Sequence, residues 1–275
     1  MNDLLHHEST IRLGCFLGVL LAMMWWEWRQ PRRMPSLPRT RRWPANLGIV
    51  VVDSAALRLV FPVLAVSAAG LAETKGWGLC HWLHAPFWLA FVISMLLLDL
   101  TIYAQHVAFH KIPLLWRLHR MHHTDLDFDV TTALRFHPLE IVLSMLIKLA
   151  VVVLLGAPPV AVMLFEVTLN ATAMFNHGNV CLPLKLDHAL RWMLVTPDMH
   201  RVHHSIRPEE TDSNFGFNLP WWDRLFGTYR DQPRDGHVGM TIGLEYFRDW
   251  RATGLYGLLL QPFLAPEKTP AERQP

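Results

Sequence analysis

Three short clusters hold eight of the chain's 16 histidines. His106 and His110 form HxxxH. His119, His122 and His123 form HxxHH, and His200, His203 and His204 repeat it far downstream. Residues three or four apart share one face of a helix, so each cluster aims its imidazoles together. That geometry suits chelation of one metal or bridging between two adjacent ones. Neutral imidazole is a good ligand for iron, zinc, copper and nickel. A solvated histidine-rich face would not need these repeated spacings.

Eight ligands exceed one tetrahedral zinc site, which uses about four. They suit a dinuclear centre. HExxH is absent, since Val107, Ala108 and Phe109 separate His106 from His110, so a zinc hydrolase would lack its glutamate base. The ferritin-type Glu-x-x-His helices are missing too. A metal-binding or transport protein without redox turnover is a second alternative. It predicts polar residues along several helices, whereas these histidines gather at one membrane face. The residues favour redox activation of O₂ against a lipid-borne substrate.

The elements that position these clusters are apolar. Hydrophobic residues make up 52% of the 275 and charged residues 17%, the balance of a polytopic membrane protein. Net charge is only +2, and nothing in it points to nucleic acid. The three cysteines have no CxxC spacing and form no evident disulfide or zinc framework. The start lacks a basic region and an obvious cleavage site, so no removable signal peptide is read.

Residues 11–28 are barely long enough to cross a bilayer, with Trp25, Trp26 and Trp28 at interface positions. Arg29, Arg32, Arg33, Arg39, Arg41 and Arg42 follow without an intervening acid. They read as a solvated loop retained on the cytoplasmic side. The second apolar segment, 47–71, carries Asp53, expected near the headgroups with no function. A third helix from residue 85 rises about 30 Å by residue 105, which brings His106 and His110 out at the cytosolic face. Segments 139–155 and 160–175 flank Gly156-Ala157-Pro158-Pro159 as a helical hairpin. Lys148 and Glu166 are each nine residues from Ala157, so antiparallel packing pairs them at one depth. From residue 180 the chain is expected to form a cytosolic cap, with a disordered tail at 266–275. The fold class is all-α: a polytopic bundle with a helical cap. The division expected is 1–84 for N-terminal membrane helices and arginine-rich loop, 85–265 for the catalytic unit and 266–275 for the tail.

Beyond the histidines, the blocks LLWRLHRMHHTD (114–125), TTALRFHPLE (131–140), FNHGN (175–179), DMHRVHHS (198–205), and NFG (214–216) followed by WDRLFGTY (222–229) are specific. Together they resemble the fatty acid hydroxylase/sterol desaturase superfamily of integral membrane di-iron proteins, over roughly residues 99–229. The resemblance implies that His106, His110, His119, His122, His123, His200, His203 and His204 are catalytic metal ligands and adds His177 as a ninth. Cys181 stands where a tenth might be. His137 is either a further ligand or neighbour of the site, or a structural residue at a helix start. Asp99, Asp125, Asp127, Asp129, Glu140 and Asp198 include candidates to receive the second N–H of ligand histidines. Asn214 and Trp222-Asp223-Arg224 are expected to order the cap. His6, His7, His81, His84, His188 and His237 lie outside the pattern.

By resemblance the cofactor is a pair of non-haem iron ions, with O₂ as co-substrate and hydroxylation or desaturation of a sterol, fatty acyl or other lipid chain as the reaction. Electrons would come from a separate ferredoxin- or cytochrome-type donor with an NAD(P)H reductase, because no CxxC, dinucleotide fingerprint or haem motif is present.

Overall fold

The computed structural model describes residue 5 and residues 7–265. His6 and the 266–275 tail lie outside the described residues. Within them the architecture is all-helical, with two isolated β-bridges, Pro31 to Val180 and Ser205 to Ile242. The principal helices are α1 (Glu8–Arg29), α2 (Arg39–Val60), α3 (Ala65–Lys75), α4 (Phe87–Lys111), α5 (Pro113–His123), α6 (Pro138–Leu155), α7 (Pro159–Asn176), α8 (Leu184–Leu190) and α9 (Pro197–His203).

Four helical stretches are long and apolar enough to cross a membrane: Glu8–Arg29, Arg39–Trp82, Phe87–Lys111 and Pro138–Leu155. The chain is a multi-pass membrane protein. The outward faces of these helices show Leu13, Leu17, Leu21, Trp25, Trp28 and Leu59, all exposed, as suits a lipid-facing surface. The inner faces of α2, α3, α4, α6 and α7 meet in one apolar core that includes Phe61, Ala65, Leu98, Met145, Val152, Val162 and Phe165. A second core of Leu20, Met23, Ala133, Met174, Val180 and Phe217 joins α1 and α7 to the cap.

Proline sets several boundaries. It fixes its own φ and pushes the residue before it into extended backbone. The second apolar segment is therefore not continuous. Phe61, before Pro62, is extended (φ −115°, ψ 110°) and separates α2 from α3. Ile112, before Pro113, is likewise extended (φ −98°, ψ 116°) and separates α4 from α5. Pro113, Pro138, Pro159 and Pro197 each occupy the first turn of a helix, where the missing N–H has no intrahelical partner to lose.

The expected hairpin is present as α6 and α7. Its turn residue Gly156 (φ +66°) lies against Gly78 (φ +99°), where an added Cβ on Gly78 would sit 2.1 Å from the Gly156 nitrogen. Only glycine permits both the backbone angles and this approach. Lys148 Nζ donates to Glu166 Oε1 at 2.7 Å, as the nine-residue symmetry predicts. Arg12 of α1 joins the same carboxylate at 3.1 Å.

The arginine-rich segment is not a solvated loop. Arg39–Arg42 begin α2, and Arg42 is fully buried. Its guanidinium grips both oxygens of Asp125, at 2.6 and 2.7 Å, and donates to Asp129 at 2.7 Å. Arg32 donates to Asp198 at 3.1 Å, and Arg33 to the Met240 carbonyl at 2.8 Å. The physical reason is compensation: the run of positive charge meets the acids Asp125, Asp129 and Asp198, which the sequence places far away. Asp53 is likewise turned inward. It is 8% exposed and borders a cavity within the bundle.

Candidate metal centre

The centre is built at the ends of helices. The single extended residue Ile112 reverses the chain, so the last turns of α4 and α5 bring HxxxH against the first HxxHH. Asn176 ends α7 and leaves His177 as its C-cap. Thr196 caps α9 by accepting from the Met199 N–H at 3.3 Å, which sets the second HxxHH on one short helix.

These elements gather nine imidazoles into two neighbouring groups. One comprises His106, His110, His119, His123 and His203; the other comprises His122, His177, His200 and His204. Within each group one nitrogen per residue lies within 4.8 Å of all the others. The three histidines of an HxxHH motif do not converge. His119 and His123 stay together and His122 crosses over; His200 and His204 stay together and His203 crosses back. Every i,i+4 pair shares a group, because that spacing returns a helix almost to the same direction. The two groups share a wall, with the rings of His123 and His204 stacked 4.6 Å apart.

Hydrogen bonds orient the rings. Nδ1 of His106 meets the Phe215 carbonyl at 2.7 Å, His122 that of Arg135 at 3.2 Å, His177 that of Ala173 at 2.8 Å, and His203 that of Ser213 at 2.7 Å. His119 Nδ1 meets Glu140 Oε1 at 2.7 Å, and His110 Nδ1 meets Asp212 at 3.3 Å. A carbonyl or carboxylate can only accept, so each of these imidazoles carries its proton on Nδ1 and a lone pair on Nε2. Those lone pairs face one another between His106 and His119 and between His122 and His177, each 3.1 Å apart, Nε2 to Nε2, and His200 Nε2 lies at the same distance from His177 Nε2. Without a cation such contacts repel. The residues fit metal ions, which would turn the repulsion into coordination.

Burial also favours the neutral ligand form. It pushes the His119 and His177 imidazoles down to about 3. His122, His123, His200, His203 and His204 are driven well below their usual value by burial and by one another. Phe136 stacks on His122 at 4.7 Å and Phe128 on His177 at 5.5 Å, walling the group with apolar surface.

Among the residues expected near the ligands, Glu140 touches one. His137 does not join either group. It caps α6, accepting from the Leu139 N–H at 3.2 Å, while its Nε2 meets the Leu259 carbonyl. Asp99 accepts from the Trp222 indole at 2.8 Å, because its helix turns it towards the cap. Asp198 is drawn to Arg32 and Arg201. Asp127 accepts from the backbone N–H groups of Ser36 and Leu37. Asn214 orders the cap by bonding Met199 and Arg230, and Asp223 accepts from the Phe215 and Gly216 N–H groups. Cys181 is exposed and outside both groups.

Two further residues that the sequence does not single out hold the site. Glu27, at the end of α1, accepts from the Val130 and Asn179 N–H groups at 2.7 and 2.8 Å, and so ties both site loops to the first helix. Arg135 donates to Asn46, to Thr124 and to the Met121 and Ala252 carbonyls. An isolated acid in an apolar run is the sequence signal that could have found Glu27.

A cavity of about 860 Å³ reaches the centre from within the bundle. His106, His119 and Glu140 border it, as do Phe16, Leu57, Phe61, Met145 and Leu169.

The family model for fatty acid hydroxylase matches residues 91–228. The chain is 31% identical over 191 residues to ornithine lipid hydroxylase OlsE of Rhizobium tropici, covering 66% of this chain and 54% of that protein. It is 28% identical to alkylglycerol monooxygenase of Xenopus tropicalis over 170 residues, 60% of this chain and 35% of that protein. With the Danio rerio alkylglycerol monooxygenase it shares 29% over 191 residues, 66% of this chain and 40% of that protein. The chain thus spans about half the length of the first relative and less of the other two. No solved structure gives a significant match.

Proposed function

The chain belongs to the fatty acid hydroxylase family, and on that premise we propose that it oxidises a C–H bond of a membrane lipid with O₂ at two iron ions. The observation that carries this reading is that the 860 Å³ cavity among the membrane helices reaches His106 and His119 of one histidine group, which lies against the other group. Named activities of the relatives, ornithine lipid hydroxylase and alkylglycerol monooxygenase, support a lipid substrate.

His106, His110, His119, His123 and His203 would hold one metal; His122, His177, His200 and His204 would hold the other. The pair supplies redox chemistry that activates O₂. Five and four nitrogen donors suit two sites with open positions better than a single closed zinc tetrahedron. Glu140 orients the His119 ring. The apolar wall of Phe16, Leu57, Phe61 and Leu169 binds the lipid chain and limits water at the reacting carbon. Hydroxylation takes up one O₂, two electrons and two protons and yields the alcohol and one water. The electrons come from a separate donor, a ferredoxin- or cytochrome-type protein. The arginine-rich segment packed on the site favours the cytosolic side for the centre.

The test is metal content and O₂ consumption. The purified full chain should hold about two irons and consume O₂ only with lipid and a reductant present. Tight zinc at one site, with no lipid-dependent consumption by the iron-loaded protein, would sink the reading.

A further inference from the structure

The cavity has a polar patch at its histidine end. Asp53 of α2 borders it, is 8% exposed and makes no hydrogen bond or ion pair among the described residues; its Oδ1 is buried without a partner. Arg58 also borders the cavity, but no ion pair joins it to Asp53. Gln105 Oε1 and Glu140 Oε2, on the same cavity, are buried and unpartnered among the described residues as well, although Gln105 donates to Ser144 and Glu140 holds His119 through its other oxygen. All three unmatched atoms are oxygens able to accept a hydrogen bond. The Arg12–Glu166–Lys148 group differs: its charges satisfy one another. It lies about two turns, or roughly 12 Å, further along α6 from Glu140.

An unpaired carboxyl inside a membrane span is expensive and marks a binding or reaction site. No described residue of the bundle compensates Asp53, and its buried Oδ1 is free to meet the cavity's occupant. Resting on the lipid-oxidation reading above, we infer that Asp53 binds a hydrogen-bond-donating head group of the substrate, a hydroxyl or an ammonium. Asp53 and Glu140 border the same cavity, and Glu140 touches His119. The head group therefore sits beside the metal centre, the chain extends along the apolar wall, and oxidation falls close to the polar end of the lipid.

The test uses the full chain in phosphatidylcholine nanodiscs. The probes are a monoalkyl glycerol with free hydroxyls and its O-methylated counterpart, and a primary alkyl ammonium and its trimethyl counterpart. Binding and steady-state oxidation are measured for wild type and Asp53→Leu. This substitution removes an unpaired buried charge, so folding is retained and thermal stability holds or rises. Wild type should prefer the donor-bearing member of one pair, and the pair preferred identifies the head group. Asp53→Leu should lose that preference through a roughly tenfold or greater rise in Kd and KM, with binding of the capped lipid unchanged. Equal affinity for both members in wild type, or a preference that survives in Asp53→Leu, overturns the inference. So does a fall in kcat on both members with KM unchanged, which would make Asp53 a positioning residue for Glu140. If the head-group preference appears and depends on Asp53 while no lipid is oxidised by iron-loaded wild type, the site stands and the oxidation reading falls.

Discussion

Glu140 Oε1 lies 2.7 Å from His119 Nδ1, and this contact joins the start of α6 to the end of α5 at the centre's inner wall. The carboxylate fixes the ring's orientation and leaves Nε2 aimed at His106. Removing such a partner typically weakens metal affinity about 10–100-fold. Glu140→Ala should therefore lower metal affinity by that order, measured by competition with a chelator. The protein should still insert and fold, since a buried acid is exchanged for a small apolar residue. Unchanged affinity would show that the ring is held by packing alone.

The split of each HxxHH between two groups makes a separate prediction. His177→Ala removes one of four nitrogens from one group, and His203→Ala one of five from the other. Each should lose metal mainly from its own group, so metal content falls from about two ions per chain towards one. Elemental analysis checks this, and the double variant should fall further than either single one. Equal and complete loss of both metals in each single variant would mean that the groups bind as one unit.

Arg42 and Asp125 form a fully buried bidentate pair beside the centre. Arg42→Leu removes the bidentate partner of Asp125, leaving Arg135 at 3.9 Å as its nearest cation, and should destabilise the protein by about 3–5 kcal/mol. Arg42→Lys should recover little, because a point charge cannot reproduce the two parallel bonds. Burial pushes the Asp125 carboxyl up, but Arg42 and Arg135 outweigh it and hold it well below the usual range. The sign follows: this stabilisation is fully present above the unfolded carboxyl value of about 3.9 and is lost as pH falls through the lower folded value. Between pH 5 and 8 this pair should therefore add no pH dependence to the wild-type melting temperature, and its loss, with the slope of about one carboxyl, should appear only below about pH 4.

Lys148 and Glu166 give a double-mutant cycle inside the membrane. Lys148→Met leaves Glu166 with Arg12 alone, and Glu166→Leu leaves two cations facing each other. Each single change should destabilise more than the double Lys148→Met/Glu166→Leu, because the double leaves no orphan charge across the hairpin. Unfolding in mild detergent measures the coupling. Strict additivity would show that the two charges act independently.

Much of this protein is legible in the order of its residues. Histidine spacing alone identifies the eight clustered ligand candidates, because i,i+3 and i,i+4 are local geometry. Hydropathy locates the membrane helices, and proline marks where they begin. Equal distance from Ala157 suffices to pair Lys148 with Glu166, because a hairpin converts sequence symmetry into equal depth. What stays hidden depends on long-range partners. Asp198 and Asp99 stand close in sequence to histidines yet turn to Arg32 and Trp222. The arginine run looks solvated because its acids lie about 80 to 170 residues away. Only the tertiary structure decided which histidines share a group, which carboxylate holds a ring, and that Asp53 faces a cavity without a partner among the described residues. Spacing determines the direction of a side chain on its own helix; what it meets there is set by how the helices pack.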